Sequence, residues 1–221
     1  MNPWTMIEAL KRLHDFGFGV STILDVGASD GTWSLAAKSL FPSAHFLLFE
    51  PLEERRSPLT LLKRTHENFD FEISAVGSEV GEASFIVTQD LDGSRAILNE
   101  DYSGETRKVR LTSLDASLET RTLPTPYLLK LDVHGYELPI LEGAGRTLER
   151  TNVAIIEAYN FRITPSSLLF HEIVSYMDRH GFSCIDIVDP LWMQQDRCEW
   201  QIDLFFAKRD DPVFKKGILR Y

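Results

Sequence analysis

The sequence predicts an α/β fold, a mostly parallel sheet covered by helices on both faces. Short, near-continuous apolar runs alternate with helical patterns along most of the chain, as strands buried on two sides require. The first run, Thr22 to Val26, ends in a glycine turn that opens a helix. Composition is that of a globular protein, 43% apolar and 25% charged over 221 residues, enough chain for one domain with a large core. A single domain spanning 1–221 is expected, with an N-terminal helix in residues 1–20 and an inserted hairpin and loop at residues 80–115.

Thr5-Met6-Ile7-Glu8 has the Thr-x-x-Glu spacing of a capping box, and Ile7, Leu10, Leu13 and Phe16 recur at helical spacing before Gly17, so a helix comes first. Thr22 to Val26 reads as a strand, Thr32 to Leu40 as a helix stopped by Pro42, and His45 to Glu50 as a strand ended by Pro51. These make a βαβ unit. Leu59 to His66 continues as helix, and Phe71 to Val76, Tyr127 to Asp132 and Val153 to Glu157 as strands. Ala83 to Thr88 and Lys108 to Leu114 predict the inserted pair of strands, around a polar loop from Gln89 to Glu105 that includes Ser94, Arg95 and Tyr102 and either covers a bound ligand or is ordinary solvent-exposed chain. Thr164-Pro165 is expected to open a helix through Leu168, Leu169, Ile173, Val174 and Met177 that stops at Gly181. Cys184 to Val188 and Ile202 to Ala207 are expected to pair as an antiparallel hairpin at the sheet edge.

A formal charge of −10, with Lys and Arg nowhere denser than Lys108 to Arg110, argues against a nucleic-acid partner. No apolar run approaches the ~18 residues of a membrane span, and charged residues interrupt the N-terminal stretch, so a cytoplasmic location is expected. Cys184 and Cys198 lack the spacing of a zinc site and read as thiols.

Ligands of such sheets collect at the carboxyl ends of the strands, where the turn Asp25-Val26-Gly27-Ala28-Ser29-Asp30-Gly31 and Glu50 fall. The dinucleotide fingerprint fails there, because Ser29 and Thr32 stand where glycines are needed. Asp30 at the helix start would also face a pyrophosphate, which favours a bare helix N-terminus. Acids at 25 and 30 instead suit a cationic ligand. S-adenosylmethionine, with its ammonium and sulfonium, fits: Asp25 holds the amino group, Gly27 and Gly31 allow close backbone approach, and Glu50 accepts from the ribose hydroxyls. The competing reading makes Asp25 and Asp30 turn and cap residues only.

A second constellation, Leu128-Leu129-Lys130-Leu131-Asp132-Val133-His134-Gly135-Tyr136-Glu137, follows a buried strand. Period-two geometry puts Lys130 and Asp132 on one face, and a lysine there needs a carboxylate partner, Asp132 or Glu157. The pair is either structural or, beside a cofactor site, catalytic.

With these motifs in order, the chain resembles the FkbM family of S-adenosylmethionine-dependent methyltransferases from about Ile23 to Glu157. The matching segments are Leu24-Asp25-Val26-Gly27-Ala28, Phe49-Glu50-Pro51, Ala75-Val76-Gly77 followed by Gly81, Ser113-Leu114-Asp115, and Leu129 to Glu137 followed by Leu141, Gly143 and Ala144. The resemblance implies a single Rossmann-like class I methyltransferase domain with a seven-stranded sheet. It further implies a cofactor site drawing on Asp25, Gly27, Ala28, Asp30, Gly31, Glu50, Pro51, Ala75 and Val76, and O-methylation of a hydroxyl on a sugar, polyketide or related small metabolite. The family commonly has glutamate where this chain has His134.

For an alcohol acceptor the expected catalytic residues are His134 as general base, Asp132 as orienting group or alternative base, and Lys130. A metal-assisted variant would place Mg2+ on Asp132, Glu157 and Asn160. The rival functions are a non-catalytic S-adenosylmethionine-binding protein and an NAD-dependent oxidoreductase. Asp189-Pro190-Leu191-Trp192 is similar to an amino-methyltransferase signature, but its place after the sixth strand of the sheet is wrong for one.

Overall fold

The computed structural model describes residues 2, 4–97, 106–195 and 197–215. Helix α1 (Met6–Phe16) starts at Thr5, whose hydroxyl accepts from the Glu8 amide, and ends at Gly17 in the left-handed conformation. Strand β1 (Thr22–Val26), helix α2 (Thr32–Lys38) and strand β2 (His45–Glu50) form the expected βαβ unit. Helix α3 (Arg56–Thr65) follows a 3-10 turn, and strand β3 (Phe69–Ile73) pairs with β2.

The expected strand Phe71 to Val76 is two strands. At Ser74 the chain leaves the main sheet, its amide donating to the Glu50 carbonyl, and β4 (Ala75–Val76) joins a second sheet. That sheet holds β5 (Gly81–Ile86), β6 (Arg95–Ile97) and β7 (Arg107–Thr112), so the predicted hairpin is part of a four-stranded sheet of order β4-β7-β5-β6. Leu114, expected at the end of the second inserted strand, instead begins α4 (Leu114–Glu119), because Ser113 caps that helix by accepting from the Ala116 amide.

Strand β8 (Tyr127–Leu131), helices α5 (Glu137–Glu142) and α6 (Gly145–Glu149), and strand β9 (Thr151–Tyr159) follow. Helix α7 (Phe170–Arg179) begins six residues later than Thr164-Pro165 suggested. Thr164 and Ser167 bond to each other's side chain and backbone in a closed turn, which competes with helix, and the Glu172 carboxylate then accepts from the Leu169 amide to cap α7. Strands β10 (Phe182–Trp192) and β11 (Glu199–Lys208) form the expected hairpin, and α8 (Pro212–Lys215) closes the described chain.

The main sheet has seven strands in the order β3-β2-β1-β8-β9-β11-β10, with β11 antiparallel to both neighbours. Alternate strand residues face two cores. Leu47, Phe49, Leu129 and Leu131 pack with Ile140, Leu148, Ile173 and the second sheet, whereas Ile23, Phe46, Leu48 and Leu128 pack with α1, α2, α3 and α8. Among the described residues no helix is long and apolar enough to cross a membrane.

Candidate functional site

Strand order reverses between β1 and β8, the point where open α/β sheets bind ligands beyond their carboxyl ends. A cavity of about 370 Å³ lies there. Gly27 and Ser29 enter it from the turn after β1, Glu50 and Pro51 from the end of β2, Ala75 and Val76 from β4, Asp132 and His134 from beyond β8, and Glu157 from β9. The second sheet and its β5–β6 loop supply another wall through Phe85, Leu91, Asp92 and Ala96.

Glu50 is 6% exposed, and its two oxygens accept from the Leu52 amide at 2.9 Å and the Ser29 amide at 3.0 Å. Burial pushes its pKa up to about 7, against the lowering effect of those two amides. A carboxylate has about four acceptor positions, so both oxygens can still receive ligand hydroxyls. Gly27 has φ 81°, and a Cβ on it would lie 1.9 Å from the backbone oxygen of Asp132. Its glycine is therefore demanded by the neighbouring strand end, and the close approach leaves its backbone on the cavity wall.

Five of the residues expected at the site lie off this wall. Asp25 is fully buried on the α2 face, where its carboxylate accepts from the Ser34 hydroxyl at 2.7 Å and faces the Lys130 ammonium at 3.4 Å. Register explains the pairing, since Asp25 and Lys130 are direct neighbours across β1 and β8. Lys130 also donates to Asp132 at 2.9 Å and lies 5.1 Å from the Trp33 ring centre. Burial disfavours its charge, but Asp132 and Asp25 outweigh that and raise its pKa; in turn Lys130 holds Asp132 below the ordinary carboxylate range despite burial. Lys130 thus contacts Asp132, which lines the cavity, without lining it itself. Asp30 is exposed and accepts from the Thr32 amide, the turn role, while Gly31 caps α2 and the Ala28 amide donates to the Phe49 carbonyl.

His134 has φ 55°, and its ring bridges two parts of the fold. Nδ1 faces the Glu157 carboxylate and the Tyr159 hydroxyl, each at 2.9 Å, and Nε2 lies 2.8 Å from the Asp92 carbonyl oxygen. Burial disfavours its charged form, but Glu157, then Asp132 and the Asp92 carbonyl, more than compensate and raise its pKa to about 9. Both ring nitrogens are thus engaged by neighbouring oxygens, and the base role expected of His134 would compete with those contacts. Asn160, expected as a metal ligand, is turned to the Glu199 carboxylate.

The polar insertion reaches the site through Asp92. Its carboxylate accepts from Arg55 at 2.5 Å and from the Ser29 hydroxyl at 3.0 Å. Residues 98–105 of that insertion, including Tyr102, lie outside the described residues. The sequence points to this loop as a cover over the ligand and names Ser94, which lines the cavity; it does not single out Leu91 or Asp92, because leucine and aspartate in a polar loop carry no spacing that points to a site.

Residues 25–184 match the model of the methyltransferase FkbM domain. The chain belongs to the FkbM methyltransferase family. Among solved structures, the FkbM domain resembles methyltransferase FkbM from Methylobacillus flagellatus KT, with a TM-score of 0.53 at 15% identity over 84% of this chain. This chain spans 43% of that protein, less than half its length. Precorrin-6y C5,15-methyltransferase from Geobacter metallireducens GS-15 gives a TM-score of 0.48 at 12% identity, covering 92% of this chain and 88% of that one. The Burkholderia thailandensis 1,6-didemethyltoxoflavin-N1-methyltransferase, solved with bound 1,6-didemethyltoxoflavin and S-adenosylhomocysteine, gives 0.48 at 13% identity, covering 91% of this chain and 77% of that one. No curated protein matches the sequence.

Membership in a methyltransferase family weighs against the oxidoreductase alternative. Several FkbM signature residues prove to be architectural. Asp115 accepts from the Thr147 amide and hydroxyl and from the Arg146 amide, which caps α6. Gly143 lies against the Gly77 carbonyl, where a Cβ would come within 2.1 Å. Glu137 is 1% exposed and accepts from the Gly135 amide at 2.9 Å, tying down the turn that presents His134. Asp189 accepts from the Met6 amide at 2.8 Å and anchors α1 to the edge strand, so its signature is a structural one.

Proposed function

We propose that this chain is an S-adenosylmethionine-dependent methyltransferase that methylates a hydroxyl oxygen on a sugar, polyketide or related small metabolite. The observation that carries this reading is that Glu50 and Asp132, at the ends of β2 and β8, face one cavity of about 370 Å³, within the ~300–1,000 Å³ typical of small-molecule sites. Its ionisable lining supports a cationic ligand: Glu50, Asp92, Asp132 and Glu157 outnumber Arg55 and His134.

When bound, S-adenosylmethionine supplies a methyl group on a sulfonium, which leaves with little assistance. Glu50 accepts from the ribose hydroxyls, Gly27 and Pro51 border the nucleoside, and Ala75 and Val76 form its apolar wall. Asp25, Asp30 and Lys130 act at a distance, through the turn and through the ionisation of Asp132. Asp132 accepts the acceptor's hydroxyl proton. Its lowered pKa makes it a weak base, but the hydroxyl becomes strongly acidic as its oxygen bonds to the methyl carbon, so a weak base at contact distance suffices. The second sheet excludes water on one side through Phe85, Leu91 and Ala96.

Labelled methyl transfer from S-adenosylmethionine into a pool of small hydroxylated metabolites, read by mass spectrometry, tests the reading. Asp132→Asn is expected to lower turnover by about 10²-fold or more. Tight cofactor binding with no transfer to any acceptor would instead establish a non-catalytic binding protein.

A further inference from the structure

Asp132 and His134 follow the end of β8 and Glu157 lies in the adjacent parallel strand β9, and one ligand atom of each lies within 4.8 Å of the other two. All three line the cavity. We propose that these three side chains form a binding site for a single divalent transition-metal ion, of which zinc is the best fit.

The donor set chooses the class of ion. Two carboxylate oxygens and one imidazole nitrogen neutralise a divalent charge and supply the nitrogen donor that zinc favours over magnesium. His134 Nδ1 and Glu157 Oε2 are 2.9 Å apart, near the ~3 Å separation of two ligands bound to one ion about 2.0–2.1 Å from each. With an ion present, it takes the place of the Nδ1 proton.

A second, independent observation is the support around each ligand. Metal-binding histidines commonly donate their other ring N–H to a carbonyl or carboxylate. Here Nε2 faces the Asp92 carbonyl at 2.8 Å, so Nδ1 is the nitrogen turned to the ion, which would displace its present contact with the Tyr159 hydroxyl. Lys130 fixes Asp132 at 2.9 Å, and Gln201 donates to the Glu157 oxygen that faces away from His134. Each ligand is therefore oriented by a group outside the triad. The set differs from the Asp132, Glu157 and Asn160 arrangement expected from sequence, since Asn160 is committed to Glu199 and His134 takes its place.

An ion at this position would coordinate the acceptor oxygen and ease the proton transfer assigned to Asp132. That task rests on the methyltransferase reading; the site itself does not. The test is calorimetric titration of the tag-free, chelator-stripped full chain with zinc chloride and, separately, magnesium chloride, without S-adenosylmethionine. One zinc per chain is expected, bound at least tenfold more tightly than magnesium. His134→Asn, which tolerates the positive φ, and Asp132→Asn are each expected to weaken zinc at least tenfold with unchanged circular dichroism. Absence of saturable binding, or one-per-chain binding that both variants keep within twofold, would overturn the proposal. A chain that binds zinc but transfers no methyl contradicts only the proposed function, and one that transfers methyl but binds no zinc contradicts only this inference.

Discussion

Glu50 carries opposing demands, since it is buried among apolar neighbours yet placed to receive hydroxyl donors. Its folded-state pKa, about 7, exceeds the ordinary 4.5, so the stability linked to its protonation is fully present below about pH 4.5 and lost as pH rises through about 7. Glu50→Gln removes that dependence. Urea unfolding of both proteins should shift in the variant's favour by roughly 2 kcal/mol between about pH 5 and pH 8; parallel curves would show that Glu50 is ionised in the folded chain throughout. Lys130 makes the opposite case, a buried cation shared by Asp25 and Asp132. Lys130→Met strands the fully buried Asp25 carboxylate and is expected to lower unfolding free energy by about 3–5 kcal/mol. That need for a partner was legible in the sequence, whereas the choice of Asp25 was not, because it depends on the register of β1 against β8.

At the scale of elements, strands and helices with strong periodicity were readable. Thr22–Val26 and His45–Glu50 form where their apolar runs predict, and the closing hairpin pairs as expected. Two departures share one physical cause, a local side-chain bond that overrides the pattern, Ser113 capping α4 and Ser167 closing the turn before α7; the third is the crossing between sheets at Ser74, whose amide still bonds the Glu50 carbonyl. Only the last affects the site, because it brings Ala75 and Val76 onto the cavity wall. The meeting of α5 with the end of β4 is equally local. Gly143→Ala would drive a methyl group against the Gly77 carbonyl, 2.1 Å away, and is expected to cost about 1–3 kcal/mol in chemical denaturation. An unchanged midpoint would mean that the two segments separate easily.

For the molecule as a whole, the reversal of strand order defines where the site lies, and the second sheet defines its shape. The first was foreseeable from the βαβ pattern and the glycine turn. The second was legible only as a polar loop that could cover the ligand; the four-stranded sheet that holds it was not, because its pairing depends on β7 and β4, distant in sequence. Acidic groups outnumber basic ones in the chain and on the cavity wall, the charge balance on which the proposed cationic ligand rests. The most direct measurement is calorimetric titration of the full chain with S-adenosylmethionine and, in parallel, NAD. The account predicts one S-adenosylmethionine per chain, at least tenfold weaker binding by Glu50→Gln, and no heat from NAD. Binding of NAD in preference to S-adenosylmethionine, or S-adenosylmethionine affinity indifferent to Glu50→Gln, would contradict it.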